Sequence, residues 1–554
     1  MELTDLLVRM ATAPGDSDLV RLLAKAQIGK RMAQIAALLQ QQDSSHLTLL
    51  ARTQSSAPQQ FRRLLSDPGI VTGARRDIGP LIVAAVILGG AQARVDVHVI
   101  DGEVLLPTLG RLRLPRRRSV NRPERVTISV AEGRVSVEYR PDAEALVLPD
   151  DLTSATSSWQ PLERITAGRK AVLDVVLTTT GPLPGIYGVP ADFHPQSIVE
   201  WRAAITAGWE LLEKERPEHA AAIAAGLVAI VPVPAAPNGD TTSCTIDGTF
   251  GTIFMSLPPD PETVAVTLIH EFQHGKLSAA MDLGTLCSVD QNQAHYAPWR
   301  DDPRPSGALL QGVYAHLGVA QFWNTHRTAA PKRALLAHVE FARWRDETWI
   351  ACQEILDDAA FTEAGRVFVR ALATELDLLR AEPIPAEAAE LADLIGLTHT
   401  ISWRLRNLDM EPHAANTTAA AWLARQPAPL RPLARLAEPV ANTRTVSDAQ
   451  TRLLYGRVAG VRTPKSPSTA DSFPAAIDYG HARMDYTARL RRNPNDLDAW
   501  AGLALSVPAA DPAHRSLRSV PEIVAATYRQ VVQLGSTTPD PIDIARWLAE
   551  AISN

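Results

Sequence analysis

The chain has 554 residues, 46% of them hydrophobic and 21% charged, with a formal net charge of −6. That composition belongs to ordinary globular proteins and excludes a low-complexity chain, and a mild negative charge without a long Lys/Arg run argues against a nucleic-acid partner. The length exceeds what one hydrophobic core organises and suggests about three or four domains.

Cys244, Cys287 and Cys352 are too widely spaced for a disulfide framework or a Cys-x-x-Cys site, so a reducing, cytoplasmic setting is expected. Residues 1–16 carry acidic side chains early and no long apolar core, so no secretory signal is expected. The longest apolar run, Leu81 to Leu88, is too short to span a bilayer, and no membrane partner is expected.

In chain order, residues 1–92 read as helices: Leu19 to Leu39 keeps apolar residues at three- and four-residue spacing, and Ile78 to Ala91 is nearly all apolar. The period then changes. Arg94 to Ile100, Val104 to Leu114, Arg125 to Val130 and Arg134 to Tyr139 read as strands around the hairpin signals Asp101-Gly102 and Glu132-Gly133. The densest basic segment, Arg111 to Arg118, reads as a strand end running into a solvated loop. Ala171 to Thr178 adds another strand. Val199 to Leu212 is helical, Leu227 to Val233 a strand, and Ser243 to Ile246 with Thr252 to Leu257 a hairpin around Asp247-Gly248 and Gly251.

Val264 to Leu283, VAVTLIHEFQHGKLSAAMDL, then returns to helical spacing through Val266, Ile269, Leu277 and Met281. His270 and His274, four apart, stand one turn above the other on one face, so both imidazoles can reach one metal ion, with Glu271 beside it. The Pro-rich loop from Cys287 to Gly307 holds Tyr296, Trp299, Arg300 and Arg304, and helices follow at Ala308 to Trp323, Arg333 to Leu356, Phe361 to Arg380 and Ala386 to Leu405. Gln426 to Pro432 and Thr463 to Ser468 read as linkers. Tyr486 to Leu505 resembles one tetratricopeptide-like unit, for which an ordinary helical hairpin packed on the core is the alternative.

Two histidines under-coordinate a metal, so a third protein ligand is expected. The extended metzincin spacing would place it where Ala280 stands, which sends the search to the next helix. There His316 shares a face with Leu309, Val313, Ala320 and Trp323, one turn after Gly312, and is the first candidate; a core histidine is the alternative. His295 is second. Gln311, Asp290 and Glu340 are further options, whereas His326 and His338 fall on polar faces.

LIHEFQHGKLSAAMDL followed by YAPWRDDPRPSGALLQGVYAHLGVAQFW resembles the H-E-x-x-H motif-containing proteins encoded beside ribosomally made peptide natural products, the 2-oxoglutarate-dependent peptide β-hydroxylases. The likeness is close from about Leu268 to Trp323 and weaker, though compatible, elsewhere. It implies Fe(II) with 2-oxoglutarate and O2 as cosubstrates, and hydroxylation at a β-carbon of a precursor peptide. It also implies pathways that often include a radical SAM maturation enzyme. In such a site His270, His274 and a third ligand such as His316 would hold iron, and Arg304 or Arg300 would match the distal carboxylate of the cosubstrate. Tyr314 could assist with its hydroxyl. Ion pairs of the two arginines with Asp301 and Asp302 are the alternative. For Glu271, orienting an imidazole or a water, or binding substrate, all stay open.

The spacing by itself points instead to a zinc metallopeptidase or amidase with Glu271 as general base. A peptide-binding scaffold stabilised by its metal is a third option, suggested by the repeat-like helices. The expected fold is α+β: a zincin-like metal helix with a small sheet in residues 181–425, preceded by an α+β region in 1–180 and followed by a helical, repeat-like region in 426–554.

Overall fold

The computed structural model describes residues 2–40, 45–67, 77–115, 124–139, 143–178, 195–236, 239–288, 294–329, 333–429, 434–437, 458, 479–535 and 538–552. The fold is mixed α+β and mostly helical. Two compact units are present, the first made of Met1–Leu286, Tyr314–Phe322 and Phe361–Leu372, the second of Cys287–Val313, Trp323–Ala360 and Ala373–Asn554. Among the described residues no helix is long and apolar enough to cross a membrane.

In the first unit, the early helices include Leu3–Thr12, Ser17–Gln40 and the nearly all-apolar Gly79–Gly89. The last is buried against a four-stranded and a three-stranded antiparallel sheet. Both hairpin signals take the backbone they imply: Asp101-Gly102 has φ of 53° and 81°, and Glu132-Gly133 has 51° and 78°. The single strand expected over 104–114 is instead two, Glu103–Leu106 and Gly110–Arg113, paired antiparallel. The chain reverses at Thr108, whose φ is 61° and whose N–H donates to Asp67 Oδ2 at 2.9 Å. A distant carboxylate thus stabilises a turn that the local sequence does not announce.

The sheet that positions the motif has five strands in the order Ser243–Cys244, Thr252–Met255, Ala229–Pro232, Leu173–Leu177, Glu163–Ala167. Its three inner strands are parallel and both outer strands antiparallel. Every residue of Ala229–Pro232 and Thr252–Met255 is buried, as expected for parallel strands covered on both faces. Helix Pro195–Glu215 lies against the motif helix through Gly208, where a Cβ would fall 2.3 Å from the Val264 side chain. A helix over Pro217–Gly226 was not expected; its alanine-rich run lacks an amphipathic period.

In the second unit, helix Ala334–Glu354 packs on Ala386–Asn407. The hairpin of Tyr479–Arg492 and Leu497–Ser506 closes tightly because Gly502 leaves room for the Tyr486 ring. Asp496 caps the second of these helices and pairs with Arg489 at 3.1 Å. This hairpin shares one core with Ile401, Leu405, Met410 and Ala419, so the C-terminal helices are continuous with the helices before residue 426. The expected linker at Thr463 to Ser468 lies outside the described residues.

Candidate metal centre

The motif helix is Pro261–Met281. It starts where Asp260 accepts from Thr263 N at 2.8 Å, with Pro261 at the first position, whose missing N–H costs nothing there. One turn apart on that helix, His270 and His274 bring their Nε2 atoms to 3.1 Å, with ring centroids 4.7 Å apart at 81°. The His316 ring, 5% exposed, stands edge-on to His270 with centroids again 4.7 Å apart. It comes from the middle of helix Ser306–Ala329, which approaches closely because Gly318 has no side chain: a Cβ there would meet Ile269 Cγ2 at 2.7 Å. All three rings belong to the first unit.

Two facing ring nitrogens at this spacing either share one proton or direct two lone pairs at one cation. Ligand nitrogens about 2.1 Å from a common ion stand roughly 3.0 to 3.4 Å apart, so the pair fits the second arrangement as it stands. Burial, and then the neighbouring rings of His316 and His274, hold His270 well below the ordinary imidazole range, which favours the neutral, ligating form. Among the described residues no group of three or more His, Cys, Asp and Glu is arranged so that it could hold a metal ion. What is formed is a facing nitrogen pair with a third imidazole packed against it. That donor set suits iron or zinc.

Glu271 is 3% exposed, and its carboxylate accepts from Ser243 Oγ at 2.6 Å and Thr245 Oγ1 at 2.8 Å. Sequence reasoning missed both hydroxyls. They stand on the two-residue strand Ser243–Cys244 and just after it, 28 and 26 residues before their partner. Lys276 was missed as well: its Nζ, 2% exposed by residue, donates to Pro14 O at 3.1 Å. Burial, opposed by Asp16, brings its ammonium down to about 7.

The other candidates lie elsewhere or are engaged otherwise. Tyr314 is turned into the core, its hydroxyl donating to Met10 O at 3.2 Å and its ring packed on Phe368. A cosubstrate role for that hydroxyl is therefore withdrawn. Arg300 Nε and an Arg304 terminal nitrogen both donate to Asp302, at 2.9 and 3.0 Å, the ion-pair alternative named for them. His295 meets Ser306 Oγ at 3.1 Å and Asp358 Oδ2 at 3.2 Å in the second unit; its Glu354 contact, joined by Asp358, raises its imidazole. Glu340 accepts from Trp344 Nε1. His326, expected on a polar face, is 4% exposed and edge-on to Trp323. Gly312 makes room for the Trp299 indole, and Asp290 lies outside the described residues. Comparison with protein-family models and with curated proteins finds no match to this chain.

Proposed function

We propose that the chain is an Fe(II)- and 2-oxoglutarate-dependent oxygenase that hydroxylates a β-carbon in a ribosomally made peptide. The observation that carries this is the three-imidazole cluster of His270, His274 and His316 beside a Glu271 carboxylate already committed to two hydroxyl donors. Those three histidines would hold the iron, and bound iron with O2 and 2-oxoglutarate supplies the oxidation of a C–H bond, yielding succinate and CO2. The protein's share is to keep the His270 imidazole neutral and to wall the site with the motif helix and the neighbouring strand. Arg300 and Arg304, the cations expected for the distal carboxylate, belong to the second unit, where both pair with Asp302. A precursor peptide is the proposed partner, with a radical SAM enzyme in the same pathway.

A zincin-like arrangement is supported by the five-stranded sheet, whose antiparallel outer strand contacts the motif helix. That arrangement also supports a zinc peptidase or amidase, in which Glu271 would take a proton from water. The hydroxyls on both Glu271 oxygens weigh against it. Anaerobic reconstitution with Fe(II), followed by O2, 2-oxoglutarate and candidate peptides, separates the two. Coupled succinate release and a peptide mass gain of one oxygen atom are expected. Peptide cleavage with zinc and no such coupling would establish the hydrolase, and metal loss that melts the fold without turnover in either assay would leave a scaffold.

A further inference from the structure

We infer that Glu271 is a positioning residue, which fastens the strand before the motif to the metal helix and takes no proton. This deepens the oxygenase proposal and rests on it. Three alternate residues grip the helix: Ser243 and Thr245 donate to the Glu271 carboxylate, and Asp247 accepts from Ser278 Oγ at 2.9 Å. Ser243 lies in the two-residue strand and Thr245 and Asp247 in the segment that follows it, so residues 243–247 are stitched along the turns that carry both imidazoles. Thr245 Oγ1 also lies 2.8 Å from the Glu271 carbonyl oxygen, and its methyl lies 3.9 Å from where a Cβ on Gly275 would stand. The strand therefore touches the helix on both sides of His274.

A general base needs an oxygen facing the metal-bound water and access for that water. Glu271 has neither feature in evidence: it is 3% exposed and its oxygens face the hydroxyls of Ser243 and Thr245. Among the described residues the strand that it fixes pairs only with Thr252–Met255, so one carboxylate sets where that wall stands relative to the rings. Substrate placement then depends on Glu271 although it touches no reacting atom.

The test compares Glu271→Gln with the double variant Ser243→Ala/Thr245→Val in the full chain. Iron binding by chelator competition, hydrogen exchange of residues 243–255, and kcat and KM for the peptide are measured. Glu271→Gln should hold iron as tightly as the parent and keep kcat within about tenfold, because an amide still satisfies both hydroxyls. The double variant should lose exchange protection over 243–255 by roughly tenfold or more and raise KM with a smaller change in kcat. Loss of kcat by about 10²- to 10⁴-fold in Glu271→Gln, with exchange and iron binding intact, would overturn the inference in favour of a proton-transfer role. If the parent itself shows no turnover, the oxygenase proposal fails. The strut is then judged by exchange alone, where unchanged protection in the double variant rejects it.

Discussion

Replacing His316 by Ala removes the one imidazole that neither motif histidine can supply. Loss of an outer partner of a metal ligand costs about 10- to 100-fold in affinity, so loss of this ring should cost more, read by chelator competition. Metal retention equal to the parent's would exclude His316 as a ligand. A second residue prediction concerns Glu347, 5% exposed, whose Oε1 accepts from Arg343 Nε at 3.0 Å while its Oε2 has no hydrogen-bond partner among the described residues. Burial, opposed by Arg343, pushes this carboxyl up to about 7 from an ordinary 4.5. Between those values the folded chain binds a proton that the unfolded chain has lost, so this group's stabilisation is complete below about 4.5 and falls as pH rises towards 7. The loss should total roughly 3 kcal/mol. Urea unfolding of the parent and of Glu347→Gln at pH 5 and pH 8 should show the smaller pH dependence in the variant, and equal dependence would refute the assignment.

At the scale of elements, the three-imidazole cluster depends on how closely two helices cross. Gly318→Ala places a methyl against Ile269 Cγ2, a rigid β-branch, and should cost about 1 to 3 kcal/mol through overpacking while weakening metal binding. Trimming the partner in Gly318→Ala/Ile269→Ala should recover part of both losses; a double variant no better than the single would show that the clash is not the cause. The motif helix itself was legible, since apolar spacing and the Pro-Pro-Asp-Pro run at 258–261 mark its body and start. The His316 ring was legible as a candidate because Leu309, Val313 and Ala320 mark the buried face. Gly318 was not, because a glycine that admits a neighbouring helix has no local signature. The Glu271 hydroxyls were missed for a different reason: their partner lies 26 and 28 residues away in sequence.

At the scale of the molecule, the C-terminal helices do not form a separable piece. Trp500, Tyr486, Tyr528 and Leu548 share a core with Ile401, Leu405 and Met410. Truncation at residue 425 should therefore uncover those three side chains and produce a chain that binds a hydrophobic dye or aggregates, at about 25 cal/mol for each Å² of apolar surface exposed. A soluble truncated chain with unchanged exchange in helix Ala386–Asn407 would contradict this. The sequence divides the chain by changes of period and by proline content, which register elements along the backbone and carry no record of which faces they share.

What the amino-acid order determined unaided was therefore local: the hairpin turns, marked by the glycines of Asp101-Gly102 and Glu132-Gly133; the helices, whose period is written in their apolar residues; and the one-turn spacing of His270 and His274. Tertiary structure decided the rest. It brought His316 against His270, gave Glu271 its hydroxyl partners, and turned Tyr314 into the core, because each depends on a distance between segments far apart in sequence, fixed only when their faces are buried together.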